Sequence, residues 1–138
     1  MKLGFDLDGT LDRPALGALC KALLLEGHEV HIITGVFPEA AGWQDTPAKH
    51  AKLRRLDIPF VDDGSHVVAA HGPAPYARLH VLYAVPSTYS RDYRLADLGL
   101  RKGALCEELG IQVFFDDSDT YCEMIPKMAG GVTVLQVH

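Results

Sequence analysis

Nothing in this chain constrains its fold and chemistry as tightly as residues 3–11, Leu3-Gly-Phe-Asp-Leu-Asp-Gly-Thr-Leu11. The stretch opens apolar, reads as a short buried strand, and then delivers Asp6 and Asp8. Gly9 and Thr10 supply a turn out of strand geometry. Two carboxylates are thereby expected at the C-terminal tip of a strand, where open α/β sheets place their ligands. Such a tip suits a metal ion and a nucleophile. An acidic surface turn would carry the same residues. A calcium loop would need further oxygen ligands over twelve residues and a closing Glu. Here Leu11, Asp12, Arg13 and Pro14 follow instead, leading into an apolar helix, so the calcium-loop reading fails.

The alternation of apolar runs extends this start into an architecture. Pro14 opens a helix expected to end near Gly27, with Leu16, Leu19, Cys20, Leu23 and Leu24 on one face. Residues 30–34 read as a second strand, released by Gly35. Residues 36–47 read as an irregular connection, and Thr46-Pro47 as the cap and first turn of a helix to Leu56. A short strand at 58–61 precedes Asp62-Asp63-Gly64. Residues 67–70 suit an edge strand or a turn of helix, and 72–75 a loop. Residues 79–85 form the clearest strand of the middle region. Polar residues 86–97 read as a loop in which Tyr89 and Tyr93 act as packing anchors. A helix at 100–109 stopped by Gly110, a strand at 111–115, a helix at 121–128 capped by Asp119 or Thr120, and a strand at 132–137 complete the chain. Strands alternating with helices predict a Rossmann-like, doubly wound, mostly parallel sheet covered on both faces.

At 138 residues and 48% hydrophobic content, one domain with a real core is expected over 1–138. The net charge of −5 and the lack of a basic run give no suggestion of nucleic-acid backbone binding. Cys20, Cys106 and Cys122 are odd in number and lack paired metal spacing, and the first two suit small buried hydrophobes. With no leader pattern and no apolar run of membrane length, no membrane partner and a cytoplasmic location are expected.

Four features fall at strand or helix ends in order: Asp6 with Asp8, Thr34, Lys102, and Asp116 with Asp117. Each answers a need of phosphoryl transfer to water. Asp6 can act as nucleophile through an aspartyl-phosphate, and Asp8 as acid and then base. The Thr34 hydroxyl can donate to phosphate oxygens, and Lys102 can offset carboxylate charge. Two carboxylates about 4 Å apart repel by roughly 4 kcal/mol at an effective dielectric near 20. Gathering Asp6, Asp8 and Asp117 multiplies that cost, so protonation or a divalent ion is required. Hard oxygen donors favour Mg²⁺. Taken singly, Thr34 is an ordinary strand residue, Lys102 a charge near a helix start, and Asp116-Asp117 a helix cap.

Phe5-Asp-Leu-Asp-Gly-Thr-Leu11, the strand ending Thr34-Gly35, Lys102 before a helix, and Phe115-Asp-Asp-Ser118 resemble the four motifs of the haloacid dehalogenase-like superfamily. The resemblance spans residues 5–118. It implies a phosphomonoester hydrolase with Asp6 as nucleophile, Asp8 as acid/base, and Thr34 and Lys102 as further catalytic residues. It also implies Mg²⁺ held by Asp6, the Asp8 carbonyl and Asp117, with Asp116 in support. Phosphatases and phosphomutases of the superfamily carry an Asp at the position of Asp8.

Two departures stand out. Only one helix separates the first two strands, so no large cap domain fits there. Asp62-Asp63-Gly64 also competes as the fourth motif, but it precedes Lys102 and breaks the order. His66 and His71 read as loop residues. A signalling receiver domain is disfavoured by motif order. A phosphotransferase or an inactive binding scaffold on the same fold is the remaining alternative, since fold alone never settles function. Without a cap, access to Asp6 calls either for a large phosphorylated substrate or for a lid from a second copy of the chain. Thr10, Gly35, Arg91 and Arg94 are the candidate substrate contacts, the two arginines on the 86–97 loop.

Overall fold

The computed structural model describes residues 1–39, 45–62 and 75–138. The expectations for 67–70, for 72–74, and for Asp63, His66 and His71 lie outside the described residues. The elements run β1 (Lys2–Phe5), α1 (Pro14–Leu25), β2 (Glu29–Val36), α2 (Thr46–Arg55), β3 (Phe60–Asp62), β4 (Ala77–Tyr83), α3 (Arg91–Leu109), β5 (Val113–Asp116), α4 (Asp119–Met128) and β6 (Thr133–Gln136).

The six strands form one sheet in the order β3-β4-β2-β1-β5-β6, and every pairing is parallel. The order reverses at β1. From it the chain first builds outward through β2, and later returns to lay β5 on its other side. That switch point is the crevice where open α/β sheets receive ligands, and it is where Asp6 follows β1 and Asp116 ends β5.

Each face of the sheet has its own core. Leu3, Phe5, Val30, Ile32 and Leu79 pack with Cys20 and Leu24 of α1 and Leu53 of α2. Ile33 and Phe114 pack with Leu98 and Cys106 of α3 and Tyr121 and Ile125 of α4. The mostly parallel, doubly covered architecture expected from the alternation is what the chain adopts. Cys20 and Cys106 are free and buried, as their helical positions implied.

The largest departure lies at residues 91–99. They belong to α3, not to a loop, and make it 19 residues long. Ser90 caps it by accepting from the Tyr93 amide at 3.2 Å. Its buried face is Arg94, Leu98, Gly99, Lys102, Gly103 and Cys106, a regular helical stripe carrying two charges and two glycines. The polar first turns obscure that stripe in the sequence. Gly99 and Gly103 have a packing reason: a Cβ would come within 2.7 Å of Met124 Cβ and 2.5 Å of the Ile125 carbonyl oxygen, respectively. Their bareness lets α3 lie close on α4. The remaining caps also shift by a residue or so. Asp45 accepts from Ala48 and starts α2, while Ser118 accepts from Tyr121 and starts α4.

Candidate functional site

Strand β1 stops at Phe5, and the chain turns through Leu7–Leu11 before α1. Gly9 makes the turn, with a φ of 79° that L residues rarely adopt. It must also be bare, because a Cβ there would lie 2.2 Å from Asp117 Oδ2. Arg13 Nε donates to the Gly9 carbonyl, and the Gly9 amide donates to Asp12, which fixes the turn from below. The Asp6 amide donates to the Phe115 carbonyl, so the tips of β1 and β5 are locked together.

This arrangement gathers Asp6, Asp116 and Asp117, each offering a carboxylate oxygen within 4.8 Å of the others. Lys102 reaches up from α3, completely buried, and donates to Asp6 Oδ1 at 2.9 Å and Asp116 Oδ2 at 3.1 Å. Its ammonium stands 4.2 Å over the Tyr121 ring. The other Asp116 oxygen accepts from the Ser118 amide. Thr10 is buried, and its hydroxyl lies 3.5 Å from Asp6 Oδ2 and 3.3 Å from Asp117 Oδ1. Asp6 Oδ2 and Asp117 are therefore the acceptors least committed to protein donors.

Burial raises the Asp6 pKa to about 8, with Lys102 pulling the other way and Asp116 reinforcing the rise. Burial also lifts Asp116, again against Lys102. For Lys102, burial works against the charge, yet Asp6 and Asp116 prevail and hold it protonated above the usual lysine range. Three carboxylates converge where one buried ammonium pairs with two of them, Asp6 and Asp116, and Asp117 is partly exposed. The excess negative charge, carried on hard oxygens, fits a divalent cation in charge and donor type. A cation could be held by Asp6, Asp116 and Asp117.

Asp8 belongs to a different environment. Its carboxylate is 48% exposed and is held by two lysines of α2. Lys52 Nζ donates to Asp8 Oδ1 and to Asp12 Oδ2, both at 2.7 Å, while Lys49 takes Asp8 Oδ2. Partial burial would raise the Asp8 pKa, but the lysine hydrogen bonds outweigh it and the net shift is downward. Asp8 thus stands ionised beside cations and outside the carboxylate trio.

The other sequence candidates take up structural positions. Thr34 lies within β2, two residues short of the strand's end, and is buried. Gly35 faces α3, where a Cβ would stand 3.2 Å from a Leu98 methyl. Lys102 lies in the middle of α3, so the helix-start argument for it does not apply. Arg94 is buried, with Nε on the Val85 carbonyl, an ion pair to Glu39 and its guanidinium 4.8 Å over Phe37. Arg91 is exposed at the first residue of α3, and Tyr89 and Tyr93 stack on each other at 4.9 Å, both about half exposed. Lys49 and Lys52 were missed as site residues. Their three-residue spacing on one helix face was the available signal.

The sequence matches no protein-family model, and no curated protein matches it. Among solved structures, one of a universal stress protein in complex with cAMP superposes with a TM-score of 0.50 at 15% identity, over 100% of this chain and 96% of that one. At that identity the likeness speaks for the fold, a Rossmann-like architecture shared by many families. It corrects the family expectation. The remote likeness is to a universal-stress-protein domain, and membership in the haloacid dehalogenase-like superfamily is overturned. The hydrolase assignment falls with it: phosphomonoester hydrolysis, the aspartyl-phosphate on Asp6 and the phosphatase class have no support beyond a loose carboxylate cluster. The environment of Asp8 points the same way, since a carboxylate kept ionised by two lysines is poorly suited to deliver a proton.

Among the described residues no helix is long and apolar enough to cross a membrane.

Proposed function

We propose that this chain is a divalent-cation-dependent binding domain for a small phosphate-bearing ligand of the nucleotide class. The observation that carries the reading is the convergence of Asp6, Asp116 and Asp117 at the switch point of the sheet, with one buried lysine among them. Mg²⁺ is the cation that an all-carboxylate oxygen set at a ligand crevice suits best, and it binds through a few carboxylates while leaving positions for phosphate oxygens. In this reading Lys102 holds Asp6 and Asp116 in place and limits their repulsion, and Thr10 orients the free oxygens of Asp6 and Asp117. The ligand class follows from what a carboxylate-held Mg²⁺ recruits, and cAMP in the superposable structure is one member of it.

The test is calorimetric titration of a panel of AMP, ADP, cAMP and inorganic phosphate, with and without Mg²⁺, alongside a multiple-turnover assay for phosphate release. Saturable one-to-one binding of a panel member that requires Mg²⁺, without sustained phosphate release, is the expected result. Repeated turnover would overturn the binding reading. So would a panel in which no member binds at saturating Mg²⁺.

A further inference from the structure

Lys49 and Lys52 lie outside the cation cluster, and what they hold is unusual. Lys49 is 4% exposed, yet its ammonium is spent on Asp8, a carboxylate that is itself half in water. An ion pair with one solvated partner contributes little stability, while burying an ammonium costs something. The pair is therefore poorly explained as a staple between α2 and the turn after β1.

Its position offers a better account. Asp8 follows Asp6 by two residues, so their Cα atoms are at most roughly 7 Å apart. Through Asp8, the two ammonium groups are held against the same turn after β1 that begins at Asp6. The other cations described near this edge are committed. Lys102 is completely buried between Asp6 and Asp116. Arg13 holds the Gly9 carbonyl, Arg94 the Val85 carbonyl and Glu39, and Arg101 holds Asp97 and the Tyr83 carbonyl. Lys49 and Lys52 share an acceptor that is solvent-exposed and can swing aside.

We propose that Lys49 and Lys52 form the phosphate-binding half of the site, and that the Asp8 carboxylate is a built-in stand-in for the ligand's phosphate. On binding, the phosphate takes both ammonium groups and Asp8 turns to solvent. Each ammonium has three donors, enough to serve phosphate oxygens that the cation does not reach. Asp12, which already shares Lys52, keeps that lysine aligned during the exchange. This inference rests on the cation-dependent binding reading and adds a residue-level origin for phosphate selectivity.

The experiment measures Mg²⁺ alone and AMP at saturating Mg²⁺ by calorimetry, on the full chain, with inorganic phosphate as a second probe. In Lys49→Met/Lys52→Met, Mg²⁺ affinity should stay within about twofold or tighten, which also reports a folded site, while AMP weakens at least tenfold. Lys52→Met alone should weaken AMP severalfold without the risk of removing a buried group. Asp8→Asn, which removes the internal competitor, should bind AMP at least threefold tighter. If the lysine variants bind AMP as the wild type does while Asp117→Ala loses it, the inference fails and the cation reading survives. Unchanged or weaker AMP binding in Asp8→Asn also overturns it. If the wild type does not bind Mg²⁺ alone, the cation-dependent reading itself has failed.

Discussion

Asp6 and Asp8 are neighbours in sequence and opposites in circumstance. Asp6 is buried beside Asp116, with the partly exposed Asp117 close by, and is gripped from the α3 side by a lysine that water does not reach. Asp8 lies on the α2 side, half exposed, and is held by two lysines. The charges are alike and the burial is not. At the buried site, desolvation governs and pushes the Asp6 carboxyl up to about 8. On the open side the lysines govern and push Asp8 down. A single residue, Leu7, thus separates a buried carboxylate that a cation could share with Asp116 and Asp117 from a half-exposed one paired with two lysines.

The first way to break this comparison is to remove a lysine from each side. Lys102→Met leaves Asp6 and Asp116 buried without their counter-charge, and losing one partner of a buried pair costs about 3–5 kcal/mol. Lys52→Met removes a partner of solvent-exposed carboxylates and should cost less than about 1 kcal/mol. Urea denaturation of the metal-free proteins measures both. Equal costs would mean that the two regions do not differ in the way described.

A pH titration sharpens the same contrast. Asp6 binds its proton more tightly in the folded protein, at about 8, than the ordinary carboxyl value of 3.8. The folded state therefore holds more protons than the unfolded state between those values, and stability falls as pH rises across that window. The contribution is complete below about pH 4 and lost as pH passes through about 8. The clean readout is the difference between the metal-free wild type and Asp6→Asn, which lacks this slope. Saturating Mg²⁺ should flatten the wild-type slope, because the cation replaces the proton. A wild type that runs parallel to Asp6→Asn without metal would contradict the assignment.

A smaller effect is expected at the turn after β1. Gly9→Ala places a Cβ against the Asp117 carboxylate in a backbone conformation costing about 1–3 kcal/mol outside glycine. Asp117 must move, so Mg²⁺ affinity should drop along with stability. Gly27→Ala, also at positive φ but with open space around it, should lose comparable stability and keep its Mg²⁺ affinity.

These contrasts show how far the sequence could be read. The sheet was legible because β1, β2 and β5 are dense apolar runs, and runs buried on both faces carry a strong signal. The acidic tips Asp6 and Asp116-Asp117 were legible too, since charges at the ends of such runs have few other places to go. Residues 91–99 were misread because the buried stripe of α3 contains Arg94, Gly99 and Lys102, whose burial depends on partners elsewhere in the chain. The split between Asp6 and Asp8 depends on α2, whose lysines lie 41 and 44 residues beyond Asp8 and whose spacing on one helix face does not name the partner they hold. The family resemblance failed for a related reason. Polar residues at the C-terminal tips of parallel strands are what this architecture provides in many families, so their order speaks for the fold and leaves the chemistry open.

The central claim is that the Asp6, Asp116 and Asp117 carboxylates bind a divalent cation in the folded protein. Thermal melting of the wild type and Asp117→Ala across a Mg²⁺ series tests it most directly. A ligand specific to the folded state adds about 2.7 kcal/mol at one hundred times its Kd, so the wild-type Tm should climb steadily with Mg²⁺. Asp117→Ala should lose most of that climb. Equal responses from the two proteins, or no response from the wild type, would contradict the account.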